Sequence, residues 1–340
     1  MPVRVAINGF GRIGRLVLRA VHESKRRDIQ VVAVNGSGSI ESNAHLLRHD
    51  SVHGPFPGRI KETRTGIDIG RGVIRVFSER DPTRLPWGAL KVDVVVECTG
   101  SFTSKDGAAK HLEAGAGKVL VSAPATGADL TVVQGVNDHK LKRGHRIVSC
   151  ASCTTNCLVP VVSVLHKLCG IAQGYMTTIH AYTGDQNTVD KNHRDFRRAR
   201  AAAINIIPTS TGAARSVGLV MPELKGRLDG TAIRVPTPNV SLVDFSFNAS
   251  RKVTVEGINK AMTAASRSPR LKGILEVNEE PLVSSDFNHT TASAIFDLTQ
   301  TQVIGDRFAR VLAWYDNEWG YSHRMVDVAA AMGRLKQARR

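Results

Sequence analysis

Two side chains in this sequence have the type and the setting for nucleophilic chemistry. In RIVSCASCTTNCLVPVVSVLHKL, a short apolar strand pattern at 146–149 runs into a helical stripe of Leu158, Val161, Val162 and Leu165, which places Cys153 in the first helical turn. The partial positive charge of a helix N-terminus favours thiolate over thiol, so Cys153 is the expected nucleophile. Cys157, one turn further along, is expected to be buried and inert. His180 lies in the strand pattern YMTTIHAY at 175–182, with Thr183 and Asp185 just after it. A lone histidine on a strand is commonly structural, and residue type alone leaves its role open. Cys150, Cys153 and Cys157 lack a fourth ligand at metal-site spacing, so no metal centre is expected.

The elements that position these groups begin at the N-terminus. RVAIN at 4–8 reads as a strand and passes directly into GFGRIG, with Gly9, Gly11 and Gly14 flanked by Phe10, Arg12 and Ile13. Ile13, Leu16, Val17, Ala20 and Val21 then form one stripe of an amphipathic helix, and IQVVAVN at 29–35 reads as a second strand. Strand, glycine turn, helix and strand in this order form the βαβ unit of a dinucleotide fold, whose helix N-terminus and bare amides receive a pyrophosphate. The glycines alone would also fit close packing; the strand and helix on either side give the motif its weight. Apolar runs at 92–96 and 119–122 read as later strands of the same parallel sheet. Ligands lie at the carboxyl ends of such strands, so Thr99, Gly100 and Ser122 are expected to line the cofactor cleft.

With 340 residues and 42% hydrophobic content, the chain is long enough for two cores. An odd count of five cysteines, and no run of about 18 apolar residues, point to a chain that works reduced, in the cytoplasm and away from membranes. The net charge of +16 fits nucleic acid, an anionic surface or phosphorylated small ligands, and charge alone does not choose. Basic clusters at 25–27, 140–146 and 334–340 are interleaved with polar residues and read as solvated surface.

ASCTTNCL, TTIHAYTGDQ, RARAAAINIIPTSTGAA, IRVPTPNVS and WYDNEWGYSHRM, together with NGFGRIGR, resemble phosphorylating glyceraldehyde-3-phosphate dehydrogenase, in order and over nearly the whole chain. The resemblance implies that Cys153 attacks an aldehyde, that His180 acts as base, and that inorganic phosphate cleaves the resulting thioester. It implies one anion pocket from Thr183, Asp185 and Arg234, with Asp185 orienting Arg234. A second comes from Ser152, Thr154, Thr211, Gly212 and Arg200, whereas Arg197 and Arg198 are taken as surface or subunit contacts. Asn317 would hold the nicotinamide carboxamide and Tyr321 pack beside the ring, and the assembly would be a homotetramer. The sequence departs from the family at Cys150, where asparagine is usual, and the thiol is expected to fill space.

A further departure concerns the cofactor. In NAD-specific dinucleotide folds, an acidic residue at the end of the second strand holds the adenosine ribose and repels a 2′-phosphate. The family's usual aspartate after Asn35 is Gly36 here, followed by Ser37. Losing that carboxylate removes a repulsion of about 1 to 4 kcal/mol for charges near 4 Å apart. In the loop that the family sends to a neighbouring subunit's adenosine, a usual Leu-Pro pair reads Lys191-Asn192, and Arg80 is a further family position near the adenosine. NADP is therefore expected to be accepted and preferred over NAD.

The expected fold is a Rossmann dinucleotide-binding domain (1–151), an α+β catalytic domain (152–317) and a C-terminal helix docking on the first domain (318–340). Strands are expected at 175–181, 231–235, 240–248, 293–298 and 310–315, with Val243, Phe245 and Phe247 alternating as in an antiparallel sheet. Two other functions fit parts of the sequence. Erythrose-4-phosphate dehydrogenase shares the cysteine and histidine but lacks the Thr-x-Asp arrangement kept here as Thr183 and Asp185. An RNA-binding protein would be expected to interleave exposed aromatics with its cations, and aromatics make up only 5% of this chain, so nucleic acid is not the expected main partner.

Overall fold

The computed structural model describes residues 1–335, so residues 336–340 of the expected C-terminal segment, and of the basic cluster 334–340, lie outside the described residues. The chain forms two compact units. One comprises Met1–Val132, Asp138–Ala151 and the residues from Ser322 onward, and the other comprises Ser152–Tyr321 with Val133–Asn137.

In the first unit, β1 (Val3–Asn8), α1 (Arg12–Glu23) and β2 (Ile29–Asn35) form the expected βαβ unit. The chain continues through α2 (Ile40–Arg48), β3 (Lys61–Thr63), β4 (Gly66–Asp68), β5 (Val73–Phe77), β6 (Val94–Glu97), α3 (Lys105–Glu113), β7 (Lys118–Val121), β8 (Leu130–Thr131) and β9 (Ile147–Ser149). Among the described residues these strands make one sheet in the order β3-β4-β5-β2-β1-β6-β7-β9-β8. From β5 to β8 every pairing is parallel, whereas β3, β4 and β5 form an antiparallel meander. Parallel strands are covered on both faces, which is why β6 and β7 are buried throughout rather than alternating. Helix α1 lays Leu16, Val17, Ala20 and Val21 into this core, each at most 4% exposed. Its N-cap is Gly11, which has no side chain to cap the helix.

The second unit holds α4 (Cys153–Cys169), β10 (Ile171–Ala181), β11 (Ile207–Ser210), α5 (Ala213–Val220), β12 (Leu228–Val235), β13 (Ser241–Ala249), α6 (Val255–Ser266), β14 (Leu275–Asn278), β15 (Ala294–Ile304) and β16 (Phe308–Tyr315). Its sheet runs β11-β12-β10-β13-β16-β15-β14. It is mixed: β10 pairs with β12 in parallel, as β14 does with β15, while β13 is antiparallel to both its neighbours. Val243, Phe245 and Phe247 on β13 are at most 1% exposed and the two phenylalanine rings stack 5.4 Å apart. Burying each of these side chains contributes about 1.5–3 kcal/mol.

Helix α7 (Trp319–Arg334) belongs to the first unit from Ser322 onward. Met325, Val328, Ala329 and Met332 are buried, Arg26 pairs with Asp327 at 2.7 Å, and a side chain at Gly333 would collide with Val3. No helix among the described residues is long and apolar enough to cross a membrane.

Candidate active site

The start of α4 is fixed by its own sequence. Ser152 is the N-cap, its hydroxyl accepting from the Thr155 amide at 3.1 Å, so Cys153 is the first helical residue. Just before it, Ala151 takes a left-handed backbone, φ 56°, a conformation that costs a non-glycine residue on the order of 1 kcal/mol. The hydroxyl of Ser149 accepts from the Ala151 amide at 3.0 Å and holds this turn.

Cys153 Sγ lies 3.5 Å from His180 Nε2. On the other side of the ring, His180 Nδ1 is 2.6 Å from the carbonyl oxygen of Ala181, a separation that requires a proton on Nδ1. Nε2 is therefore the free base, turned toward sulfur. The parallel register of β10 on β12 pairs His180 with Arg234, whose Nη1 donates to the Ala181 carbonyl at 3.0 Å and to the Thr183 hydroxyl at 3.4 Å, while its Nε is buried without a partner. Burial, and after it the charge of Arg234, drives His180 down to about 3, so the ring is neutral near pH 7. Burial also pushes the Cys153 thiol above its usual value, against the pull of Arg234 and the Thr154 hydroxyl. At Cys153 the helix start and the Arg234 charge, which favour the thiolate, thus work against burial, which favours the thiol.

Beneath the pair, Tyr315 is buried, its hydroxyl 2.8 Å from Thr154 Oγ1 and 2.9 Å from Thr178 Oγ1, with its ring edge-on to His180. The Thr154 side chain is turned inward to this tyrosine, so what it offers an anion is its amide. Helix α5 starts beside α4, with Thr155 Oγ1 donating to the Ala213 carbonyl at 3.5 Å. Thr211 and Gly212 precede α5, Gly212 as its N-cap, and the two helix starts bring backbone donors together.

Two expected partners differ. Asp185 does not bond Arg234; its carboxylate pairs with Arg198 and approaches His193 at 3.7 Å. Although burial pushes Asp185 up, Arg198 holds it below the ordinary carboxylate range. Arg198 also donates from Nε to Thr209 Oγ1 at 2.9 Å, and its charge bears on His180. Arg200, assigned to the phosphate pocket, instead pairs with Asp190 at 2.8 Å, its side chain 63% exposed. Besides Arg234, the cation whose charge bears on His180 is Arg198, expected from the sequence to be a surface or subunit contact; the pairs Arg198–Asp185 and Arg200–Asp190 span 13 and 10 residues of irregular loop, where no periodicity marks a facing side. Lys191 and Asn192 are exposed on the same loop.

Asn317 is buried and accepts from the Ser241 hydroxyl at 2.8 Å, and Tyr321 is buried nearby in sequence. In the first unit, burial pushes the Cys150 thiol up to about 12; it is fully enclosed, as a space-filling residue would be.

The glycine turn of the first unit fits a dinucleotide. A Cβ on Gly9 would stand 2.6 Å from the Cys98 carbonyl carbon and the Thr99 amide, and one on Gly14 would stand 2.1 Å from the Gly9 oxygen, whereas Gly11 faces open space. That is one glycine for the turn, one for helix–strand packing and one left clear for a ligand. Arg12 is paired with Asp50 at 2.6 Å, and Phe10 is buried. Asn35 is committed through its side chain to Asn8 and to both backbone groups of Glu79, so it shapes the strand ends rather than facing a ligand. Gly36, Ser37 and Arg80 follow β2 and β5, with Ser37 and Arg80 exposed, and a Cβ on Gly36 would stand 3.1 Å from Phe10 Cβ. Thr99, Gly100 and Ser122 sit just past β6 and β7, as expected from the sequence.

Comparison with known proteins agrees. Residues 3–105 match the glyceraldehyde 3-phosphate dehydrogenase NAD binding domain and 152–317 its C-terminal domain. The chain is 62% identical to glyceraldehyde-3-phosphate dehydrogenase of Xanthobacter flavus, over 98% of this chain and all of that protein. It is 61% identical to the enzyme of Cereibacter sphaeroides over the same shares, and 54% identical to that of Geobacillus stearothermophilus over 97% of this chain and 98% of that one. With a cysteine and a neutral imidazole at the head of one unit, a dinucleotide turn in the other and likeness along its whole length, the chain belongs to the glyceraldehyde-3-phosphate dehydrogenase family.

Proposed function

We propose that the chain oxidises glyceraldehyde 3-phosphate to 1,3-bisphosphoglycerate, reversibly, with inorganic phosphate as acyl acceptor and with NADP preferred over NAD. The observation that carries the chemistry is the 3.5 Å contact of Cys153 Sγ with a histidine whose other nitrogen is pinned to the Ala181 carbonyl. Sγ attacks the aldehyde carbon as its proton passes to His180 Nε2, and the new oxyanion, held by the Cys153 amide, recovers that proton to give a thiohemiacetal. His180 then removes the hydroxyl proton as the carbon gives up its hydride, leaving a thioester on Cys153. When bound, the nicotinamide supplies the acceptor for that hydride. A phosphate oxygen attacks the thioester, the C–S bond breaks, and sulfur leaves with a proton returned from His180.

Thr183 and Arg234 hold the phosphate of the substrate, with Arg198 fixed beside them by Asp185. The attacking phosphate is held by Ser152, the Thr154 amide, Thr211 and Gly212. The dinucleotide is held by the turn from Gly9 to Gly14, with Thr99, Gly100 and Ser122 at the strand ends and Asn317 and Tyr321 for the nicotinamide. Replacing Cys153 by serine tests the reading: nicotinamide reduction at the parent's pace, with glyceraldehyde 3-phosphate and phosphate supplied, sinks it.

The preference for NADP is supported by Gly36, which offers no carboxylate, and by the exposed Ser37, Arg80 and Lys191. Turnover with each dinucleotide at limiting concentration decides it, and an advantage to NAD of about tenfold or more, or about 1.4 kcal/mol, defeats the preference. The cytoplasm, where five free cysteines stay reduced, is the proposed location. A homotetramer is proposed on the exposed apolar side chains Val189, Phe196, Ile204 and Ile206, all at least 69% exposed in the single chain. Sedimentation of a lone subunit at micromolar concentration contradicts it.

A further inference from the structure

Glu97, at the end of β6, is 1% exposed and takes no part in the chemistry above. Each of its carboxylate oxygens faces two donors. Oε1 accepts from the Thr99 amide at 2.7 Å and from the Thr99 hydroxyl. Oε2 accepts from Asn8 Nδ2 at 2.6 Å and lies 2.9 Å from His111 Nε2. The histidine is itself oriented: Trp87 Nε1, which can only donate, lies 3.0 Å from His111 Nδ1, so the ring's proton is on Nε2 and points at Glu97. Asn8 Oδ1 in turn accepts from Asn35 Nδ2 at 2.7 Å. A line of buried side chains therefore crosses the carboxyl ends of β2, β1 and β6.

Three of its members sit one residue before a glycine: Asn8 before Gly9, Asn35 before Gly36, Thr99 before Gly100. The turns at Gly9 and Thr99 touch through backbone, because the space where Gly9 would carry a side chain is filled by Cys98 and Thr99. A shift of the Thr99 turn is thereby a shift of the Gly9 turn.

We propose that Glu97 is a positioning residue for the dinucleotide: it clamps the ends of β1 and β6 so that both glycine turns present their amides at one fixed spacing, with Trp87 and His111 keeping the clamp in register. This rests on the reading of the first unit as the dinucleotide site. A carboxylate is an acceptor at all four positions, whereas a carboxamide would aim its NH2 either at Asn8 Nδ2 and His111 Nε2 or at the Thr99 backbone amide, so Glu97→Gln keeps the shape and breaks the clamp.

The test measures the dissociation constants of NADP and NAD, kcat at saturating dinucleotide, and KM for the aldehyde, on the folded full chain. Glu97→Gln is expected to weaken dinucleotide binding about tenfold or more, the cost of leaving a buried donor unpaired, while kcat and the aldehyde KM stay within about threefold. Adding Asn8→Asp restores complementarity, because the carboxylate introduced there accepts both from Asn35 and from the new carboxamide. The double variant is expected to bind within about threefold of the parent. Glu97→Gln that folds and binds within about twofold of the parent overturns the proposal, as does a double variant no better than the single. If Glu97→Gln does not fold, His111→Phe, which removes one donor to Glu97 and touches no residue assigned to the dinucleotide, takes its place; an unchanged affinity there overturns the proposal equally. A parent chain that binds neither dinucleotide overturns the underlying reading as well, and so is told apart from failure of the clamp alone.

Discussion

Arg234 and His180 are register partners on adjacent parallel strands, and Arg234 Nη1 lies 3.0 Å from His180 Nδ1. Burial works against a positive charge on the ring, and a cation this close adds to it. The folded chain thus holds His180 at about 3, while the unfolded chain binds a proton at about 6.5. The sign follows from proton counts. Between these values the unfolded state carries the extra proton, so this contribution to stability is complete above about pH 6.5 and is lost as pH falls toward 3. The thermal midpoint of the parent is expected to fall more steeply between about pH 6.5 and about pH 4 than that of His180→Asn, whose amide can still donate to the Ala181 carbonyl. Parallel curves for the two proteins would contradict this.

The same guanidinium acts on sulfur with the opposite sign. Its charge lowers the Cys153 thiol against the rise caused by burial. Arg234→Gln is expected to slow alkylation of Cys153 by iodoacetamide at neutral pH severalfold, because the lost charge leaves the effect of burial less opposed. Peptide mapping of the alkylated protein checks it, with Cys157 as an internal control because burial keeps that thiol protonated. An alkylation rate unchanged by the substitution would show that Arg234 does not tune the nucleophile.

At Gly36 an aspartate would bring back the carboxylate but meet a tight neighbour, with its Cβ 3.1 Å from that of Phe10. Gly36→Asp is expected to lower kcat/KM for NADP by about tenfold or more through repulsion of roughly 1 to 4 kcal/mol. NAD turnover should be largely retained, and the gap should narrow as salt screens the charges. A ratio of the two cofactors unmoved by the substitution would mean that the glycine only reshapes the turn.

How much of this was legible in the sequence depended on periodicity. The Gly9–Gly14 turn, α1 and the cysteine at the head of α4 were readable because a strand pattern gives way to a stripe of about 3.6-residue period at each junction. The meander of β3, β4 and β5 was not, since its segments are short and polar, with Lys61 and Glu62 exposed. Nor could the sequence show that the catalytic sheet is mixed, because β10 and β12 meet across a long loop and pair by register, not by pattern. Glu97 and His111 read as ordinary polar residues on a strand and a helix; only the fold brings them within 2.9 Å at the dinucleotide end.

The same limit separates Arg198 from Arg200, near neighbours in sequence with the same charge. Arg198 is tied to Asp185, Thr209 and the Ser210 carbonyl, and its charge reaches His180. Arg200 meets Asp190 in an exposed pair of the kind that contributes at most about 1 kcal/mol. Arg198→Gln is therefore expected to lower kcat/KM for the aldehyde by about a hundredfold, the loss of a charged hydrogen-bonding group worth roughly 1.5–3 kcal/mol, with Asp185 left facing only His193. Arg200→Gln in the single chain's geometry should stay within about threefold. Steady-state kinetics at varied phosphate and aldehyde compare the two directly. A larger loss at Arg200 than at Arg198 would mean that the loop from Asp190 to Arg200 rearranges on assembly and carries the second cation into the phosphate pocket.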